Sequence, residues 1–509
     1  MVHVMRRWLL WCGFGLVHLL VGWLCLVAEG LPLGDVVLVY RPWVEQATSG
    51  GPIPAIDQPW VYPILAIVPM LIPLLLGSAW YGVGWLLLVT AMNAGAFAVL
   101  LGNGHSRPRL IAAWWWLAFL LLLGPIALAR IDSVTVPIAI VGLLWVAGRP
   151  RVAAVLLTLA AWMKIWPAAL IGAIVLAHRH RGQVLVAAAA TSVVVLGVGL
   201  VLGGANAVSF VTEQTGRGLQ IESPIGNAYL WLAVLGVPQS FVYYDRDILT
   251  FQVTGPGVDT AIAVMTPLLG LAVAGAVLLG VLAVRSGRPL VQVLAPLSLL
   301  FVLTLIIFNK VGSPQFAMWL AAPVILGIVL QRRRFLAPAV LALMIAALTQ
   351  LVYPYLYLWL LNVDPVLVTV LTVRNLAYLV LAGWAVHALF SPHHHDATEG
   401  NSSGRPSKRS LIAGRKPCSA LDSTTLLPSA LAMSTLPRRA ACTSPGTPSA
   451  ESARSSSGSQ KLSSSRRQMA CTRRSPPMVF RYTMSPRTIR SAPSTSGKPS
   501  VCARNACSE

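Results

Sequence analysis

Long apolar runs separated by short polar joints dominate the chain from residue 8 to residue 391. Residues 8–28, 58–106, 110–129, 182–212, 260–284 and 289–309 contain no Asp, Glu, Lys or Arg. About 20 mostly apolar residues suffice to cross roughly 30 Å of hydrocarbon. The pattern therefore predicts an all-α polytopic membrane protein, a bundle of roughly 10 to 13 transmembrane or re-entrant helices. A lone N-terminal signal peptide does not account for runs that continue to residue 391.

Two runs do not fit one helix each. Residues 58–106 are long enough for two spans, yet orientation demands an odd number of crossings. The expected resolution is a short interfacial or re-entrant piece after Tyr62-Pro63, broken by Pro69 and Pro73. A single crossing near 81–101 would follow. Between Arg151 and Arg179 both ends are basic, so the chain goes in and comes back. Each arm holds about 13 residues, roughly 20 Å of helix, which is too short to span. The turn is expected at Lys164-Ile165-Trp166-Pro167. Lys164 is the only charge in that run, and broken helices with a buried charge mark polar cavities.

Composition agrees: 56% hydrophobic residues and a mean hydropathy of +0.72 lie well above soluble proteins. The net charge of +22 is uneven. Residues 1–392 carry 20 Lys+Arg against 11 Asp+Glu, giving +9, and residues 393–509 carry 18 against 5, giving +13. In the body the positives fall at short hinges such as Arg6-Arg7, Arg107 and Arg109, Arg149 and Arg151, Arg179 and Arg181, Arg285 and Arg288, and Arg332 to Arg334. This is the positive-inside bias of cytoplasmic loops rather than a nucleic-acid surface. Cys12 and Cys25, the two body cysteines, sit in the first apolar run and suggest no disulfide framework.

With Arg6 and Arg7 inside, the first helix delivers residues 29–58 to the outer face. Glu29, Asp35, Glu45 and Asp57 crowd that loop, four of the body's 11 acids. A long semi-polar stretch, 203–259, with Glu213, Arg217, Glu222 and Asn227, faces the same side. So do FNKVGSPQF, with Lys310 and Gln315, and YPYLYLWLLNVD at 353–364. Both termini are expected in the cytoplasm of a plasma-membrane protein, with its site on the extracytoplasmic face. A carboxylate there can serve as general base on a sugar hydroxyl while cations hold a phosphate leaving group. No G-x-x-x-x-G-K-[ST], no G-x-G-x-x-G after a strand and no H-E-x-x-H is present. That favours a lipid phosphate sugar over a soluble nucleotide sugar as donor, and no cofactor or metal is expected. The expected partners are the lipid-linked donor, a glycolipid or glycan acceptor and membrane lipids, with no nucleic acid.

GDVVLVYRPW at 34–43 after an apolar helix, then WVYP at 60–63, resembles the GT-C class of membrane glycosyltransferases. The nearest likeness is glycosyltransferase family 87, which includes actinobacterial polyprenyl-phosphate-mannose-dependent mannosyltransferases. The block GRPRVAAVLLTLAAWMKIWPAALIGAIVLAHRHRG at 148–182 is similar to that family's pattern of small residues, Lys, aromatic, Pro and basic exit, and SPQFAMWLAAPV at 313–324 is a looser echo. The resemblance covers about residues 8–391 and implies Asp35 as catalytic base, with Lys164 near the lipid phosphate. Tyr40, Arg41, Asp57, Tyr62, Arg130, Asp132, Asn227, Lys310 and Gln315 complete the expected donor and substrate-binding set. Two departures stand out. Tyr62-Pro63-Ile64 replaces the family's frequent Tyr-Pro-Pro. ARIDSVTVP at 129–137 replaces its Gly-Gln-x-Asn, so Arg130 and Asp132 would fill that role with different chemistry.

The resemblance implies transfer of a mannosyl unit from a polyprenyl-phosphate sugar with inversion, to a lipoglycan or other cell-envelope acceptor. A polyprenyl-phosphate-arabinose-dependent arabinofuranosyltransferase is the alternative within enzymes. A lipid or polysaccharide flippase is the alternative outside them, but transporters often repeat a broken helix in both halves, and AWMKIWP occurs once. Residues 392–509, rich in Ser, Arg and Pro, lack helical periodicity and cannot bury a core. Two readings stand for them: a disordered basic tail drawn to anionic lipid heads, or a stretch outside the native reading frame. Their five cysteines, with gaps of 24, 29, 31 and 5, fit no zinc pattern.

Overall fold

The structure is a computed structural model that describes residues 2–391 apart from Gln214, Thr215 and Asp247, with the side chains of residues 2–5 left aside. The basic segment 392–509, with its cysteines and the histidines at 393–395, lies outside the described residues.

The described chain is a helical bundle. In order the helices are α1 (Val2–Val27), α2 (Arg41–Thr48), α3 (Ile67–Leu71), α4 (Tyr81–Leu101), α5 (Arg107–Leu123), α6 (Asp132–Trp145), α7 (Pro150–Ala161) and α8 (Pro167–Ala177). Then come α9 (Arg181–Gly203), α10 (Gly226–Val234), α11 (Val258–Arg285), α12 (Leu290–Ile307), α13 (Ala321–Gln331), α14 (Leu336–Gln350), α15 (Tyr357–Leu361) and α16 (Pro365–Phe390). Among the described residues nine helical stretches are long and apolar enough to cross a membrane, and four shorter apolar ones accompany them.

Both irregular runs resolve into broken helices. After Pro63 a single short run of alternating 3-10 and α turns extends from Ile64 to Leu76; Pro69 and Pro73 lie within it rather than breaking it, and it stops at Gly77, φ +80°, before the full-length α4. Helices α7 and α8 hold 12 and 11 residues, roughly 18 and 17 Å, and break at residues 162–166. The two runs are tied together, since Leu65 N donates to the Trp162 carbonyl at 3.1 Å. Proline in the first turn starts α2, α5, α7, α8 and α16, where its missing N–H is not required. Gly124 ends α5 at φ +65°, and the Gln350 side chain occupies the space a Cβ would need, so only glycine fits.

Burial separates inner helices from lipid-facing ones. In α12 78% of the residues are buried and in the run Pro314–Gln331 leading through α13 89% are, whereas the most apolar 18-residue stretches of Arg181–Val211, which contains α9, and of α11 have only 11% and 17% of their residues buried. The inner helices pack with α5, α6, α14 and α16 into one large apolar core. A second core lies under residues 33–70 and the turn at 128–134, and a third joins 219–230 to α16. The one departure from an all-α chain among the described residues is a hairpin, β1 (Phe241–Asp245) antiparallel to β2 (Thr250–Thr254), in the long polar stretch.

α16 has an explicit start signal: Asp364 accepts from Val366 N and Leu367 N at 3.0 Å, with Pro365 next. Asp364→Ala should lower stability by about 1 kcal/mol. A thermal-unfolding midpoint in detergent that does not fall would show that this cap carries none of the helix start.

Candidate active site

Arg130 is the node of the site. It lies in the turn between α5 and α6, is buried, and spends its guanidinium on three separate chain segments. Nε sits 3.1 Å from Asp35 Oδ2. One terminal nitrogen donates to the Pro32 and Ala129 carbonyls, both at 2.7 Å, and the other to the Tyr353 hydroxyl at 2.9 Å. Asp35 opens a widened π-type turn, Asp35–Tyr40, whereas Tyr353 sits at a kink beyond α14 where the backbone leaves helical angles (φ −127°, ψ 128°). Such turns recur at functional sites because they re-aim side chains out of the regular helix. Asp35 keeps 38% of its side chain exposed, so a carboxylate fixed on one side stays open on the other.

Two residues on, Asp132 is fully buried. Its Oδ1 accepts from Trp319 Nε1 at 2.7 Å, and its Oδ2 lies 3.7 Å from Lys164 Nζ. Lys164 occupies the break between α7 and α8, with its ammonium 4.8 Å above the Tyr62 ring. Trp166, next to the break, stacks on Trp319 at 5.6 Å and donates to Thr135 Oγ1 at 3.0 Å. Thus Arg130 and Asp132, flanking Ile131, reach opposite ways: one holds the first loop, the other the broken helix. The Ile131 N–H donates to Tyr40 Oη at 3.4 Å, and Tyr40, Trp43, Trp60 and Tyr62 form an aromatic wall beside them.

The long polar stretch brings Arg217 near this wall. Gln220 N donates to the Lys310 carbonyl at 3.0 Å. Arg217 lies within electrostatic reach of Lys164, Lys310 and Tyr62. Its Nε is buried and makes no hydrogen bond among the described residues. Burial lowers the pKa of both Arg217 and Lys310 below their ordinary values, and the Arg217 charge depresses Lys310 further. Both would regain their usual basicity against an anion.

Of the residues expected from the sequence, Asp35, Arg130, Asp132, Lys164, Tyr62 and Tyr40 come together directly, and Lys310 is linked to them through the charge of Arg217, which reaches both Lys164 and Lys310. Gln315 is buried and accepts from the Ser313 hydroxyl, without a contact to Asp35 or Lys164 among those found. Asn227 belongs to a separate cluster, donating to Thr372 and accepting from Asn375. Arg41 pairs with Glu45 one turn along α2 at 3.7 Å. Asp57 is exposed and accepts from Ile53 N at 2.8 Å, which makes it the lock of its own turn. Tyr353, Trp319 and Arg374 were not singled out by sequence. For Arg374 a signal existed: it is the one charge inside α16. For Trp319, 187 residues from Asp132, none did.

These contacts give a part-exposed carboxylate and several cations on one wall, an arrangement able to accept a proton beside an anionic group. Asp132→Ala should cost about 3 kcal/mol, because Lys164 then loses its counter-ion. Asp132→Leu combined with Lys164→Met should recover most of it. Unfolding midpoints in detergent check both, and a double variant no better than the single would contradict the pairing.

No curated protein matches the chain. A family model does match, over residues 60–241, which hold Tyr62, Arg130, Asp132, Lys164 and Arg217 and leave Asp35 and Lys310 outside. That model is glycosyltransferase family 87, and the match together with the many apolar helices is consistent with a GT-C-like membrane glycosyltransferase.

Proposed function

We propose that the chain moves a mannosyl unit from a polyprenyl-phosphate sugar to a hydroxyl of a cell-envelope glycolipid or glycan, with Asp35 as general base. The observation that carries this is Asp35 itself: one carboxylate oxygen is committed to a buried guanidinium while the group stays open to incoming substrate. Asp35 takes the acceptor hydroxyl proton as that oxygen bonds to the anomeric carbon. The bond from that carbon to the phosphate oxygen breaks, and polyprenyl phosphate leaves with the electron pair. Displacement from the opposite face inverts the centre, so a β-linked donor gives an α-glycoside. Lys164, Lys310 and Arg217 offer the positive charge against which the phosphate departs. The excess of Lys and Arg at the opposite joints supports an extracytoplasmic position for this wall.

Membranes containing the wild-type chain should transfer label from polyprenyl-phosphate mannose. Asp35→Asn, at matched expression, should cut turnover by about 10²–10⁴-fold. Near-normal turnover would remove Asp35 from the mechanism, and label taken only from polyprenyl-phosphate arabinose would change the sugar. The lowered Lys310 predicts a pH signature as well. Its charge is present below its own pKa and disappears as pH rises through that value, which lies under the ordinary 10.5. Donor KM should therefore climb in the alkaline range in the wild type and climb less in Lys310→Arg, which stays charged. Identical alkaline profiles would rule out a role for the Lys310 charge in donor binding.

A further inference from the structure

The Asp35 wall does not use the most deeply buried ion pair among the described residues. Glu222 and Arg374 are each 2% exposed, with Oε2 and the guanidinium nitrogen 2.6 Å apart. Arg374 also donates to the Glu222 carbonyl at 2.8 Å, and its Nε and other terminal nitrogen to Asn375 Oδ1 at 3.2 and 3.0 Å. The Asn375 amide then donates to Asn227 Oδ1 at 2.9 Å, and the Asn227 amide to Thr372 at 2.7 Å. Apart from the Arg374–Asn375 bonds within α16, each link joins the turn at 220–227 to α16. A buried ion pair stabilises a fold little better than apolar packing would, and removing one partner is expensive. Its best-attested use is to fix one arrangement among several.

What the pair fixes leads to the site. Between Glu222 and Gln220 the chain is a tight turn, with Ser223 N and its hydroxyl both donating to the Gln220 carbonyl. Gln220 N in turn holds the Lys310 carbonyl. Gly312 lies so close to the Ser223 backbone that a Cβ there would collide with it. The turn therefore clamps residues 310–312 on one side and carries Arg217 on the other. A second route runs through Tyr357, which is within electrostatic reach of Glu222 and Arg130 and packs edge-on against Tyr353 at 5.2 Å.

We infer that Glu222 and Arg374 are positioning residues, a latch that docks the 217–227 turn onto α16 and so sets Arg217 and Lys310 for the anionic donor. The inference rests on the proposed transfer for its substrate and on the contacts alone for the docking. Without the latch the turn lifts, the cations lose their aim, and donor affinity falls while the Asp35 proton transfer stays intact.

Two readouts on the full-length protein separate these. Amide hydrogen exchange in lipid nanodiscs reports the docking, and steady-state kinetics with polyprenyl-phosphate mannose reports its consequence. Glu222→Gln should speed exchange across residues 218–227 and 310–315 and raise donor KM about tenfold, with kcat little changed. Combining Glu222→Met with Arg374→Met should restore slow exchange and a near wild-type KM, because apolar packing replaces the pair. Wild-type exchange rates in Glu222→Gln would overturn the latch. So would a double variant that regains slow exchange but keeps a high KM, since Glu222 would then touch substrate itself. If Glu222→Gln does not fold, the double variant decides. If the wild type transfers no sugar from any polyprenyl phosphate, the proposed function falls while the exchange arm still judges the latch.

Discussion

A buried guanidinium has five N–H donors to satisfy and no water to do it. Arg130 meets that demand with Asp35, two carbonyls and Tyr353, and in doing so gathers the first loop, the α5–α6 turn and the end of α14 at one point. The rest of the candidate site follows from that convergence. Asp132, two residues on, is carried to the opposite side of the same turn, where it meets Lys164 in the broken helix and Trp319 ahead of α13. No short segment builds the wall. It exists only when residues more than 300 positions apart in sequence, from Asp35 to Tyr353, are packed together.

The apolar bundle supplies what these charges require. α12 and the run through α13 are buried over most of their length, and the polar turns at 30–40, 128–132, 162–166 and 310–315 border the apolar cores built around them. Helices that break at membrane depth are tolerated where tertiary contacts satisfy the freed backbone. Trp162 shows how: its carbonyl accepts from Leu65 N while its indole donates to Ser192. Two interrupted segments thus complete one another, and the interruption places Lys164 above Tyr62.

Sequence alone revealed the elements that depend on local pattern. Uncharged runs mark the long helices, Pro63 marks the start of the short run before Tyr81, and the Lys164-Ile165-Trp166-Pro167 run marks the break between α7 and α8. Asp35 stood out as a candidate because its acidic loop follows an apolar helix and because the resemblance to family 87 implies a base there. Partners were not legible. That Asp35 meets Arg130, or that Glu222 meets Arg374 across 152 positions, depends on how helices pack. Nor could an acidic loop say which carboxylate matters: Asp57 locks a turn and Glu45 pairs along its own helix, both local tasks that residue type does not distinguish from catalysis.

We propose that a lipid-linked phosphate sugar binds at the wall shared by Asp35, Arg130 and Lys164. The most direct measurement is an experimental structure of the full-length protein in nanodiscs with a non-hydrolysable polyprenyl-phosphate sugar bound. The phosphate should lie against the Lys164, Arg217 and Lys310 side, with the anomeric carbon facing the open side of the Asp35 carboxylate. Density for the ligand elsewhere, with Asp35 facing only solvent and Arg130, would contradict that placement.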